Sequence, residues 1–206
     1  MKKDMTNKKF WERVAFLYTS LIEKNNLLQY KELCKVISDY LKKDMNVLEL
    51  ACGTGQLTFS LADKVHSWEA TDFSENMIEI AKKRIIKENI TFSVQDATVL
   101  PYNDDSFDAV IIANALHIMP NPEAALGEIY RVLRPNGLLF APTFVYEEKI
   151  PNVKIWFMEK FGFHTFHKWS SKEFSDFVKE KTFTILEQSI IKGAILPECV
   201  LIGRKV

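Results

Sequence analysis

The sequence predicts a single doubly wound α/β domain, and three observations predict it. Val47-Leu48-Glu49-Leu50 is a short apolar run of the kind buried in parallel sheets. It runs directly into Ala51-Cys52-Gly53-Thr54-Gly55, a Gly-x-Gly turn, and then into Gln56 to Val65, where Leu57, Leu61, Ala62 and Val65 share one helical face. Strand, glycine turn and helix open a nucleotide-binding βαβ unit. The same alternation of short apolar runs and amphipathic segments continues past residue 140, and crossover handedness leaves little but an open, mostly parallel sheet.

Composition sets the bounds. The 206 residues suffice for one domain with a sizeable core, and 47% apolar content with 15 Phe and 4 Trp excludes a disordered chain. Basic and acidic residues number 27 each, so bulk attraction to nucleic acid is not indicated. No apolar run approaches the ~20 residues of a membrane span. The polar start, Met1-Lys2-Lys3-Asp4, lacks a signal-peptide core, so a cytoplasmic protein without integral membrane association is expected. Cys34, Cys52 and Cys199 are scattered, odd in number and without a Cys-x-x-Cys pair; reduced thiols and no metal are expected.

Taken in order, Lys8 to Glu23 and Leu27 to Leu41 read as helices ahead of the first strand. They are expected to pack at the edge of the alternating core or over the mouth of its ligand site. Trp68 to Thr71 is the second strand and ends at Asp72. Ser74 caps a helix over Glu75 to Lys87. Ile90 to Val94 is the third strand and Ala109 to Ala113, wholly apolar, a central fourth. Pro122 suits the first turn of a helix through Arg134, and the turn Pro135-Asn136-Gly137 ends it, Asn136 being a residue that accepts the left-handed conformation. Leu138 to Thr143 is the fifth strand. Val145 to Trp169 breaks the alternation with many aromatics, which fit either an apolar substrate pocket or packing onto the N-terminal helices. Ser170 or Ser171 caps a last helix, and Phe183 to Ile191 and Cys199 to Val206 form a closing strand pair.

The glycine turn departs from a dinucleotide pattern twice. Thr58 stands where a third glycine belongs, and Glu49 places an acid inside the motif. A carboxylate would repel a pyrophosphate and attract a cation. Glu49-x-Ala51-Cys52-Gly53-Thr54-Gly55 resembles the first motif of the class I S-adenosylmethionine-dependent methyltransferases, with Ala51 in the place of the first glycine. Later segments resemble the same family: Asp72-Phe73-Ser74-x-x-Met77, Gln95-Asp96-Ala97, Leu100-Pro101-Tyr102 and Ser106-Phe107-Asp108. Val14-Ala15-x-x-Tyr18 resembles a segment of the ubiquinone/menaquinone-biosynthesis group, Thr19 replacing its aspartate.

The resemblance implies a seven-stranded sheet of order 3-2-1-4-5-7-6 with strand 7 antiparallel and a helical N-terminal cap. It divides the single domain into a cap (1–44), a cofactor-binding core (45–144), a substrate-cap segment (145–170) and a closing helix and strand pair (171–206). It implies S-adenosylmethionine as cofactor, bound by Tyr18, Glu49, Ala51, Gly53, Thr54, Gly55, Asp72, Phe73, Met77, Asp96, Ala97 and Asn114. Asp72 lies about twenty residues past the turn, where an acid can accept from both ribose hydroxyls. Phe73 and Met77 would bracket the adenine, Met77 being otherwise a core residue. Asp96 and the Ala97 N–H would read its edge, Asp96 being otherwise a turn cap. Asn114 would meet the ammonium group through its backbone. Tyr18, near the methionine end, and His117 are the candidate catalytic residues. His117 is either a base poised near neutrality or a residue that fixes loop shape.

After the fourth strand, Asn114-Ala115-Leu116-His117 is not the tetrapeptide of enzymes that methylate base amino groups, and no Cys stands there for pyrimidine methylation. The expected activity is therefore methyl transfer by in-line displacement to a small, apolar or aromatic metabolite. A non-catalytic S-adenosylmethionine-binding scaffold or sensor is the alternative, and Glu49 and Thr58 disfavour a nicotinamide-dependent oxidoreductase. Asp72→Ala is expected to weaken S-adenosylmethionine binding by about 1.5–3 kcal/mol in calorimetry, through loss of a charged hydrogen-bonding group; unchanged affinity would refute the ribose role.

Overall fold

The computed structural model describes residues 27–84, 87–146, 165–193 and 196–206. The expected helix over Lys8 to Glu23, the segment holding Tyr18, and most of the aromatic stretch after the fifth strand lie outside them.

A helix, α1 (Leu27–Ser38), precedes β1 (Asn46–Leu50). The chain then runs through α2 (Gln56–Leu61), β2 (Ser67–Asp72), α3 (Glu75–Lys82), β3 (Ile90–Val94), β4 (Phe107–Ile112), α4 (Pro122–Val132), β5 (Leu133–Phe140) and a two-residue β6 (Thr143–Phe144). After the aromatic segment come α5 (Ser171–Lys179), β7 (Phe183–Ile191) and β8 (Glu198–Lys205). The sheet order is β3-β2-β1-β4-β5-β8, with β7 on the far side of β8 and β6 continuing the line of β5 along it. Strands β1 to β5 pair in parallel, and β8 is antiparallel to β5, β6 and β7. The order is the expected one; only β6 is additional.

Strand alternation sends side chains to two buried layers. Leu48 and Leu50 join α4 and α5 through Leu126, Ile129, Phe174 and Val178. Val47 faces the other way, onto α1, α2 and α3 through Leu33, Ile37, Leu57, Leu61 and Ile78. Helix α1 thus joins one of the two helical layers. Its Leu33 and Ile37 are fully buried because they lie one turn apart on the face turned to the sheet.

Helix boundaries follow their caps. Ser74 Oγ accepts from the Met77 N–H, and Asn121 Oδ1 from the Ala124 N–H with Pro122 in the first turn. Helix α2 is shorter than expected; a 3-10 turn over Ala62–Lys64 completes it, and Ala62 and Val65 are buried as predicted. Helix α3 stops at Lys82, short of the expected Lys87. Helix α4 stops at Val132, and the Asn136 turn instead forms a bulge inside β5. Leu133 pairs with Phe107, pairing resumes at Leu138 opposite Ala109, and Asn136 adopts φ 64 in the protrusion.

Ser170 forms a reciprocal capping box with Glu173 at the start of α5. Ser170→Ala is expected to lower the unfolding free energy by about 1 kcal/mol in denaturant titration. No change would mean that α5 is held by its Phe174 and Val178 packing alone.

Candidate active site

The parallel strands all end on one side, and a cavity of about 320 Å³ opens there. Ala51 and Gly53 after β1, Asp72, Phe73 and Met77 at β2 and α3, Asp96 and Ala97 after β3, and Asn114 after β4 all line it. The structure therefore brings together most of the residues expected to bind the cofactor. Thr71, Ser74, Gln95, Thr98, Ala113, Ala115 and residues 118–121 complete the wall. Ser74 and Gln95 stand inside the motif segments without being assigned to the site, and the others carry no motif; their sequence signal is their place at or after a strand end.

The glycine turn is left-handed at three places: Ala51 at φ 54, Gly53 at φ 56 and Gly55 at φ 85. Glycine takes that conformation freely. Ala51, in the place of the motif's first glycine, takes it at a cost of roughly 1–2 kcal/mol.

Asp72 organises the wall. Its Oδ2 accepts from the Gly53 N–H at 2.8 Å and its Oδ1 from the Ser74 N–H at 2.8 Å. Phe73 also contributes a backbone hydrogen bond, and the carboxylate, with about four acceptor sites, keeps capacity beyond these partners. Burial pushes the carboxyl above its ordinary value, against the backbone N–H groups that hold it down. Asp96 is exposed at the rim, and its Oδ1 accepts from the N–H and hydroxyl of Thr98, so it caps a turn and lines the cavity at once. Met77 is likewise both buried and part of the wall.

Glu49 does not line this cavity. Alternation along β1 turns its side chain to the layer of α1 to α3, where its Oε2 accepts from Thr58 Oγ1 at 2.5 Å and from Trp68 Nε1 at 2.9 Å. The acid and the threonine that set this turn apart from a dinucleotide motif therefore bond to each other. Thr54 and Gly55 are also absent from the cavity wall. Burial raises the Glu49 carboxyl to about 7, opposed by its two hydrogen bonds.

Of the two roles expected of His117, its geometry fits the one that fixes loop shape. It is buried on a 3-10 turn, and its Nδ1 lies 2.9 Å from Thr143 Oγ1. Burial, with His167 adding to it, pushes its pKa down to about 4, so the ring is neutral at physiological pH. Its carbonyl accepts from the N–H groups of both Phe166 and His167. His117 thus fixes the shape of the chain entering α5. Trp169, four residues before α5's Glu173, stacks on Phe177 at 4.8 Å between ring centroids, so this end of the aromatic segment packs onto α5.

This arrangement defines a class: a nucleoside-binding α/β enzyme with acids at the ends of its second and third strands. Residues 48–141 match the model of a methyltransferase domain. The demethylmenaquinone methyltransferase of Staphylococcus epidermidis is 31% identical over 201 residues, covering 88% of this chain and 82% of that protein. That of Staphylococcus aureus is 36% identical over 146 residues, 65% and 61% of the two chains. Solved structures share the fold: a Haloferax volcanii methyltransferase in complex with the Trm112 methyltransferase activator superimposes with a TM-score of 0.80 at 18% identity, covering 95% and 97%. A S-adenosylmethionine-dependent methyltransferase of Thermotoga maritima gives 0.74 at 23% identity, covering 95% and 98%. The chain belongs to the class I S-adenosylmethionine-dependent methyltransferases, in the group that includes the demethylmenaquinone methyltransferases. It is an enzyme, and its cofactor is S-adenosylmethionine. The non-catalytic scaffold finds no support in these relatives. Among the described residues no helix is long and apolar enough to cross a membrane.

Because the Glu49 pKa is raised from 4.5 to about 7 on folding, native protein holds that proton more tightly than unfolded chain does. The stability this confers is full below the unfolded value and lost as pH rises through about 7. Its size is on the order of 3 kcal/mol. Glu49→Gln, which keeps an acceptor but cannot titrate, is expected to flatten the fall in thermal stability between pH 5 and pH 8 in scanning calorimetry; parallel pH profiles for the two proteins would refute it.

Proposed function

We infer that the protein methylates a small hydroxylated aromatic ring of the quinol type. The observation that carries this reading is the likeness to a demethylmenaquinone methyltransferase across 88% of the chain, joined to a cavity whose wall has the polarity of an adenosyl ligand.

When bound, S-adenosylmethionine supplies an electrophilic methyl on a sulfonium whose leaving group is a neutral thioether. The residues of the chain have three tasks: to hold the nucleoside, align the acceptor and exclude water. Asp72 is proposed to accept from the ribose hydroxyls with the lone pairs its backbone partners leave free. Asp96 and the Ala97 N–H suit the donor and acceptor edge of adenine, and Phe73 and Met77 its faces. Gly53 permits close approach of backbone to ligand, and Ala51 narrows that approach by one methyl. Thr54, Gly55 and Glu49 act through the turn: Glu49 holds Thr58 in the first turn of α2 from behind. Tyr18 remains a proposed residue of the methionine end.

The neutral, buried ring of His117 suits positioning better than proton removal. Methyl transfer to an electron-rich ring position needs an ionised or readily ionised hydroxyl on the acceptor, not a strong base on the protein.

Incubation with S-adenosylmethionine and a chemically reduced, unmethylated naphthoquinol is expected to release S-adenosylhomocysteine and give a ring-methylated product by mass spectrometry. His117→Gln is expected to lower kcat by less than about tenfold without introducing a new pH dependence. Tight cofactor binding with no transfer to any naphthoquinol or benzoquinol would remove the acceptor assignment.

A further inference from the structure

Glu198, the first residue of β8, lies outside the stretch that matches the methyltransferase domain and has no part in the site described so far. It is 1% exposed, and among the described residues no Lys, Arg or His pairs with it. Its carboxylate rests on two neutral amides. Gln29 Nε2 of α1 donates to Oε2 at 2.8 Å, and Asn114 Nδ2 donates to Oε1 at 2.7 Å. Burial raises the Glu198 carboxyl above its ordinary value, and the two amide hydrogen bonds oppose that rise; an unpaired buried carboxylate is costly, so these donors matter to its charge.

The partner is informative. Asn114 stands on the cavity wall just past β4, its backbone fixed at φ 53 by an N–H bond to the Pro142 carbonyl at 2.8 Å. An ionised carboxylate only accepts, so it compels Asn114 to turn its amide nitrogen toward Glu198. The carbonyl oxygen is left over. Asn114 Oδ1 is buried and has no donor among the described residues. Such an acceptor needs a partner, and the donated bond to a carboxylate strengthens its accepting power. The cavity has two unlike ends. Asp72 and Asp96 lie at the β2 and β3 end, whereas the β1 and β4 end presents Ala51, Ala113, Ala115 and Asn114. With the adenosine at the first end, the amino-acid portion of the ligand extends toward the second.

We propose that Glu198 is a positioning residue that sets Asn114 Oδ1 as the acceptor for the protonated amine of the cofactor, with Gln29 holding the carboxylate from behind. The negative charge of Glu198 reaches the ligand's cationic end through one polarised amide. This rests on the assignment of the cavity to S-adenosylmethionine and deepens it: Glu198, not Glu49, is the buried acid directed to the cation.

The test is calorimetric titration of wild-type protein, Glu198→Gln and Asn114→Ala with S-adenosylhomocysteine, its desamino analogue and 5′-methylthioadenosine, which lacks the whole amino-acid portion. Glu198→Gln lets Asn114 reverse its amide. It is expected to weaken S-adenosylhomocysteine by about tenfold while leaving the desamino analogue and 5′-methylthioadenosine unchanged. Adding Glu198→Gln to Asn114→Ala should then cost nothing further. Equal weakening of all three ligands would reduce Glu198 to a structural residue and overturn the proposal, as would unchanged binding of all three. Intact cofactor affinity with a raised KM for the methyl acceptor would also overturn it, by giving the hydrogen bond to the acceptor. If the wild-type protein bound 5′-methylthioadenosine but discriminated poorly between S-adenosylhomocysteine and its desamino analogue, the cavity assignment would stand and the proposal would fall. Binding of none of the three would remove both.

Discussion

The carboxylate of Asp72 is the constraint on which the cavity depends. It ends β2, takes the Gly53 N–H from the turn after β1, and takes the Ser74 N–H at the start of α3. The end of β2, the turn after β1 and the start of α3 are thereby fixed at one point. The exposed backbone donors of a tight glycine turn and of a helix start need acceptors, and one acid supplies both. Because a carboxylate can accept more bonds than its backbone partners donate, the group that builds the wall keeps capacity for a ligand lying against it.

Behind that wall, Glu49, Thr58 and Trp68 form a second tie, from β1 to α2 and β2. Both residues that break the dinucleotide pattern are consumed in it. A glycine in place of Thr58 would leave the buried Glu49 carboxylate with one donor fewer. The acid inside the motif is thus compatible with a nucleoside site in a way that differs from simple charge attraction. It braces the turn from the helical layer, and the cavity is lined instead by the backbone of that turn.

The site has a division of labour along its length. Acids stand at the ends of β2 and β3. Small residues and one amide occupy the ends of β1 and β4. His117, the most conspicuous titratable residue of the sequence, spends its ring on Thr143 and its carbonyl on the chain entering α5. Its imidazole, held neutral by burial, helps to fix the geometry around the cavity.

The sequence by itself determined what local signals can determine. Apolar runs located the strands, the glycine turn located the mouth of the site, and Ser74, Asn121 with Pro122, and Ser170 marked where helices begin, because caps and turns are satisfied by residues a few positions away. Asp72, Asp96 and Asn114 were legible for the same reason: each directly follows or ends a strand. Only the tertiary structure decided the rest. The face to which Glu49 points depends on the pleat of β1 within a sheet covered on both sides. The ionisation of His117 depends on burial, which no neighbouring residue reports. Glu198 meets Asn114 across 84 positions of chain, and the direction of that amide is set by the contact alone, since nothing in an asparagine's own sequence surroundings says which of its two ends will face a carboxylate.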